Sequence, residues 1–177
     1  MASINATTYQ SPPAVVGIVD DDRNVRMALR MLLEAAGHTV AVWPDADGFL
    51  ASAGANRLGC LLLDLRLPGM SGIDLQARLH ELGTELPVIV ISGHADVASA
   101  VRSMKLGAFD FVQKPCDPAV LLATVRAALA HDAECRAQRT PHTQARQRLA
   151  QLSARERDVF EGVIAGLRNK CIAAELG

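Results

Sequence analysis

Three consecutive carboxylates, Asp20, Asp21 and Asp22, stop a short apolar run that begins at Ala14. A fourth, Asp64, directly follows the run Cys60–Leu63; Ser92 follows Val88–Ile91; Lys114 follows the run Phe109–Val112. As a set these side chains suit one chemistry. Clustered acids can hold a hard divalent cation such as Mg2+ (or Mn2+), which needs few carboxylates because it keeps several waters. A lysine ammonium is a point charge suited to a phosphoryl oxygen, and a serine hydroxyl can donate a hydrogen bond to the same group. With its charge neutralised this way, a carboxylate can act as the nucleophile toward a phosphoryl donor. Each piece alone has a plainer reading. An acidic triplet serves a helix N-terminus, Asp64 is a loop acid, Ser92 a turn or capping residue, and Lys114 a solvated surface charge. Their order along the chain decides between the readings.

That order is set by the elements between them. Arg23–Ala36 carries apolar residues at 25, 28, 29, 32, 33 and 36, a helical spacing, and Gly37 stands where helices end on a left-handed residue. Thr39–Trp43 is β-prone and Asp45–Ala53 reads as a short amphipathic helix. Cys60–Leu63 and Val88–Ile91 are unbroken apolar runs, as expected of strands buried on both faces. Gly72–Leu82 and Asp96–Leu106 read as helices, the latter with Val97, Val101 and Met104 on one side; Phe109–Val112 reads as a fifth strand. Asp117 as N-cap and Pro118 at the first helical position open a last helix, predicted to run to about Ala130. Five strands alternating with five helices predict an α/β fold with a parallel sheet. Sites in such sheets lie beyond the carboxyl ends of the strands. Asp20–Asp22, Asp64, Ser92 and Lys114 all fall there.

Composition narrows the class. Half of the 177 residues are hydrophobic but only 3% are aromatic, so the core must be aliphatic. The formal net charge is −1, split as −3 over residues 1–130 and +2 over the remainder, a faint basic lean in the tail. Cys60, Cys116, Cys135 and Cys171 are far apart and make no zinc pattern; they read as reduced thiols. No apolar run reaches transmembrane length and the N-terminus has no signal-peptide pattern, so a cytoplasmic protein without membrane contact is expected. Residues 1–13, rich in Ser, Thr, Ala and Pro, are expected to form a disordered leader.

Ile18-Val-Asp-Asp-Asp22, Leu63-Asp-Leu-Arg-Leu-Pro-Gly-Met-Ser-Gly72, Val90-Ile-Ser-Gly-His94 and Phe111-Val-Gln-Lys-Pro115 resemble the signatures of two-component receiver domains. They match in order and spacing, and the FixJ-type regulators in particular; the resemblance covers residues 14–130. It implies a flavodoxin-like (βα)5 domain with strand order 2-1-3-4-5. By it Asp64 is the phosphoacceptor, and Asp20 and Asp21 are the acidic pair for Mg2+, Asp21 the more direct ligand. Arg66 lends the metal a backbone carbonyl, Ser92 is the switch hydroxyl, Lys114 binds the phosphoryl group and Phe111 is the switch aromatic. The Lys114-Pro115 bond is expected to be cis. The implied partner is a sensor histidine kinase, and the implied output is a phosphorylation-dependent homodimer through the fourth-helix face. Two departures stand out: Cys116 replaces a frequent aromatic, and Asp22 makes the acidic pair a triplet.

Residues 131–151, rich in Arg, Gln and Ala, read as a helical linker broken at Thr140-Pro141. Ser153-Ala-Arg-Glu156 forms a capping box before an apolar face of Val159, Phe160, Val163, Ile164 and Leu167, and Asn169–Leu176 reads as a second short helix. Segments within 152–177 resemble the start of a LuxR-type helix-turn-helix domain. In such domains the second motif helix reads the major groove, and the sequence stops where that helix is due. Promoter DNA is therefore an expected partner only of a complete chain, with Arg168 and Lys170 limited to weak phosphate contacts. Other functions fit less well. A haloacid-dehalogenase phosphatase would need a second acid two residues after Asp64, where Arg66 stands. A flavodoxin-like cofactor binder would need a glycine- and hydroxyl-rich loop where the three acids stand. A receiver acting without DNA output remains open.

Overall fold

The computed structural model describes residues 14–52, 58–93 and 97–150, with side chains through 138, and also Glu156, Val159 and Ile164. Five strands and five helices alternate: β1 (Val15–Val19), α1 (Arg23–Ala35), β2 (Thr39–Trp43), α2 (Ala46–Ala51), β3 (Leu58–Asp64), α3 (Gly72–Glu81), β4 (Val88–Ser92), α4 (Val97–Lys105), β5 (Asp110–Gln113) and α5 (Pro118–Ala150). All strand pairs are parallel, in the order β2-β1-β3-β4-β5. This is the flavodoxin-like order that the resemblance implied.

Two apolar layers sandwich the sheet, and the period of two along each strand sorts residues between them. Val16, Ile18, Cys60, Leu62, Ile89, Ile91 and Val112 pack with Leu29 and Leu33 of α1 and Leu121, Val125 and Ala128 of α5. Their neighbours Val19, Leu61, Leu63, Val88 and Val90 pack with Ala46 and Phe49 of α2 and Leu75 and Leu79 of α3. Helix ends follow from local chemistry. The Asp22 carboxylate accepts from the backbone N–H groups of Asn24 and Val25 and so caps α1, a contact that contributes ~1 kcal/mol. Gly37 takes φ 87° at the other end, where a side chain would be strained. Asp45, Ser71 and Asp117 hold the starts of α2, α3 and α5 in the same way.

One expectation is overturned. Helix α5 continues past Ala130 and through Pro141 as a single helix to Ala150, instead of breaking at Thr140-Pro141. Proline removes one main-chain donor and costs ~3 kcal/mol in a helix interior, but the flanking Arg, Gln and Ala are strong helix formers that carry the winding across it. The chain divides into two units, Met1–Ala133 and Glu134–Gly177, within the length of this helix. Beyond it Glu156, Val159 and Ile164 are helical and exposed. The expected second tail helix, with Arg168 and Lys170, lies outside the described residues, as do the leader 1–13 and His94.

Helix α4 is docked unusually. Its fully buried residue is Ser103, whereas Val97, Val101 and Met104 are exposed. The Gln76 side-chain amide of α3 donates to the Ser103 carbonyl at 2.9 Å, yet the Ser103 hydroxyl and the Gln76 Oε1 are buried without partners. An orphaned buried hydroxyl costs stability. Ser103→Ala should therefore raise stability by up to ~1 kcal/mol, read as a higher urea midpoint at unchanged slope. A clear loss of stability would show that the hydroxyl is satisfied in solution.

Candidate functional site

The residues at or just past the ends of β1, β3 and β5 aim their side chains by the same alternation that builds the core. Asp64 shares the parity of Cys60 and Leu62, Asp20 that of Val16 and Ile18, and Lys114 that of Val112. The three acid and amine groups therefore emerge on one side of the sheet's carboxyl rim, and they meet. The Lys114 ammonium donates to Asp20 Oδ2 and to Asp64 Oδ1, each at 2.6 Å. Both acids are buried and Lys114 nearly so, with side chains 3%, 9% and 22% exposed. Burial pushes the Asp20 carboxyl above its ordinary value; the Lys114 bond and charge oppose that rise without cancelling it, and the Asp64 charge adds to it. Burial pulls Lys114 down, but bonds to Asp20 and Asp64 reverse this and leave it above its ordinary value. One cation shared between two acids explains why the lysine gains and Asp20 does not.

The acidic triplet is divided among three tasks. Asp22 caps α1, Asp21 is exposed to solvent, and Asp20 turns inward. Asp20 is fixed on every side. Its N–H donates to the Trp43 carbonyl at 3.3 Å, its Oδ1 accepts from the Asp22 N–H at 2.9 Å, and its carbonyl accepts from Arg26 Nη1 at 2.6 Å. Asp64 is oriented by the Arg66 N–H, which donates to Oδ2 at 2.6 Å. Arg66 thus enters the site through its backbone, while its side chain is exposed. Behind Asp64 the chain turns back so closely that Gly72 lies against the Asp64 and Leu65 backbone, its N–H donating to the Leu65 carbonyl at 3.0 Å.

Ser92 ends β4, buried, and its carbonyl accepts from the Lys114 N–H at 2.8 Å. The Lys114-Pro115 bond is cis, as expected. Phe111 is half-buried among the apolar residues packed on α2 and α3. The structure thus joins Asp20, Asp64 and Lys114 directly and Arg66 and Ser92 through the main chain; Asp21 and Phe111 lie apart from that hydrogen-bonded set. Neither Arg26 nor Trp43 is a candidate site residue by sequence. Arg26 stands four residues after Asp22, one helical turn into α1, and that spacing was its only signal. Cys60, on β3 before Asp64, is no rival nucleophile, since burial and then the negative charge of Asp132 push its thiol up to about 12.

The donor set fits Mg2+. Among the described residues no group of three or more His, Cys, Asp or Glu side chains is assembled to cage a metal. Mg2+ seldom uses such a cage; it takes one or two carboxylates and keeps waters. Asp20 and Asp64, drawn toward one ammonium, offer that pair.

Comparison with known proteins agrees. The response regulator receiver domain family matches residues 16–126. The chain is 44% identical over 162 residues to the transcriptional regulatory protein FixJ of Azorhizobium caulinodans, covering 92% of this chain and 77% of that protein. It is 40% identical to the response regulator protein TodT of Pseudomonas putida, covering 92% and 72%. Among solved structures, the response regulator StyR superposes with TM-score 0.84 at 41% identity, covering 94% of this chain and 84% of that one. The FixJ N-terminal structure superposes with TM-score 0.63 at 41% identity, covering 68% and 97%. Among the described residues no helix is long and apolar enough to cross a membrane. The rim of buried acids around one lysine, the sheet order and these relatives agree that the chain belongs to the response regulator receiver family.

Proposed function

We propose that this response regulator accepts a phosphoryl group on Asp64 from the phosphohistidine of a sensor histidine kinase, in a two-component phosphorelay. The observation that carries the reading is the Lys114 ammonium held at 2.6 Å from both Asp20 and Asp64. In the transfer an Asp64 oxygen forms a bond to phosphorus as the phosphorus–nitrogen bond of the donor breaks. The Arg66 N–H fixes the plane of the nucleophile through Oδ2, and Lys114 pairs with a phosphoryl oxygen as its bond to Asp64 is given up. Preorganised positive charge of this kind is the main lever in phosphoryl transfer. Asp20, Asp21, Asp64 and the Arg66 carbonyl would hold Mg2+ (or Mn2+). When bound, that ion neutralises charge between the acids and the donor.

After transfer the Ser92 hydroxyl and Lys114 turn to the new oxygens, Phe111 repacks and α4 shifts, a local charge change biasing a two-state element. Exposed Val97, Val101 and Met104 on α4 support an activation-dependent homodimer through that face. The relatives named as transcriptional regulators support a DNA-binding output, to which Arg168 and Lys170 would add weak phosphate contacts. We place the protein in the cytoplasm.

The test is incubation with a small phosphodonor and Mg2+, comparing wild type with Asp64→Asn on a phosphate-affinity gel. Wild type should shift and Asp64→Asn should not. Equal labelling of the two would remove Asp64 from the role.

A further inference from the structure

Arg26 belongs to none of the motifs that mark the site, yet it reaches the site's deepest acid. Its Nη1 donates to the Asp20 carbonyl at 2.6 Å, and its own N–H donates to the Asp22 carbonyl at 2.9 Å. Asp20 lies just past the end of β1, where its carbonyl has left the strand. A buried carbonyl needs a donor, and a guanidinium supplies a charge-assisted bond from a pre-organised planar fork. Through Arg26, the first turns of α1 pin the residue whose carboxylate bonds Lys114. Arg26 also brings a positive charge beside the acids, and the two effects oppose each other. Charge alone would weaken the hold on a cation, whereas fixing Asp20 would strengthen it.

We infer that Arg26 is a positioning residue: by clamping the Asp20 carbonyl it sets the Asp20 carboxylate for Mg2+, and this outweighs its charge repulsion. The inference rests on the function proposed above and assigns a role to a residue outside the phosphoryl-contacting set.

The experiment titrates the full chain with Mg2+ alone, without phosphodonor. It follows the fluorescence of Trp43, the protein's one tryptophan, whose carbonyl accepts the Asp20 N–H. Partners that orient metal ligands typically contribute 10- to 100-fold in affinity, so Arg26→Ala should weaken Mg2+ binding about tenfold. Arg23→Ala removes the same charge from an exposed position on α1 and should leave binding unchanged or slightly tighter. Unchanged or tighter Mg2+ binding in Arg26→Ala would overturn the inference, because that is the signature of charge alone. Should Arg26→Ala fail to fold, Arg26→Lys carries the test. It keeps the charge but loses the fork, so weaker binding supports positioning and wild-type binding overturns it. With a small phosphodonor, the Mg2+ concentration for half-maximal labelling should rise in Arg26→Ala while the rate at saturating Mg2+ stays near wild type. If Asp64→Asn labels like wild type, the proposed function fails; if only the Mg2+ affinities fail to move, the role of Arg26 alone fails.

Discussion

Lys114→Met is expected to slow phosphorylation by a small phosphodonor about 100-fold, the typical cost of deleting one preorganised charge partner. It is also expected to destabilise the domain at neutral pH. Breaking a buried ion pair by removing one partner costs ~3–5 kcal/mol; partial exposure of Lys114 lowers that to about 2 kcal/mol here. The variant leaves Asp20 and Asp64 buried at the rim with no ammonium between them. The pH dependence follows from the shifts. Lys114 is raised above its ordinary value, so its contribution in the wild type is complete at neutral pH and is lost only as pH rises through that raised value. Asp20 is also raised, chiefly by burial, so its contribution is complete on the acid side and is lost as pH rises through its folded value. Without Lys114 only the Asp22 N–H still opposes the influences that raise Asp20. The stability gap between variant and wild type should therefore be larger at neutral than at acid pH, shrinking as Asp20 takes up a proton. Mg2+ should raise the variant's melting temperature more than the wild type's, because the ion replaces the missing charge. Urea melts at neutral and acid pH, with and without Mg2+, measure both effects. A gap that is equal at both pH values and insensitive to Mg2+ would contradict the shared-cation geometry.

Gly72→Ala should be at least as severe, by steric means. A Cβ built on Gly72 would lie 2.8 Å from the Leu65 Cα and closer still to the Asp64 carbonyl oxygen. Both are main-chain atoms, so no flexible side chain can move aside. Overpacking usually costs ~1–3 kcal/mol, and backbone against backbone belongs at the upper end. To accept the methyl, α3 must retreat or the Asp64 backbone must shift, and the second outcome moves the nucleophile. A displacement near 1 Å can cost about 100-fold in rate. The expectation is a stability loss of about 3 kcal/mol together with a labelling rate that stays depressed at temperatures where the variant is fully folded. Ala at 72 with wild-type stability and rate would mean that this close approach does not hold in solution.

The fold was legible because the strands are short, apolar and bounded by charged or turn residues. Cys60–Leu63 and Val88–Ile91 leave little choice but buried parallel strands, and Gly37 and Asp117 mark helix ends with their own chemistry. The site was legible for Asp20, Asp64 and Lys114 because each sits at a strand end, where the architecture concentrates function. What could not be read were facts of three-dimensional approach. No local pattern shows that the Arg26 side chain folds back onto the Asp20 carbonyl, or that Gly72 presses on Asp64. Nor does the triplet reveal which acid turns inward; that depends on Asp22 being claimed by the helix cap. Pro141 does not break α5 although proline is expected to, because the helix formers that flank it outweigh its intrinsic cost. Ser103 lies on an otherwise ordinary amphipathic pattern, and burial on α4 fell to it while the valines stayed outside.

The central claim is that Asp64 itself carries the phosphoryl group. An acyl phosphate is reduced by borohydride to an alcohol, whereas a free carboxylate is not. Treating the phosphodonor-loaded protein with borohydride and mapping its peptides by mass spectrometry should find homoserine at position 64 in wild type, dependent on both Mg2+ and phosphodonor. Reduction at any other acid, at Asp20, Asp21 or Asp22 above all, with position 64 still aspartate, would contradict the account.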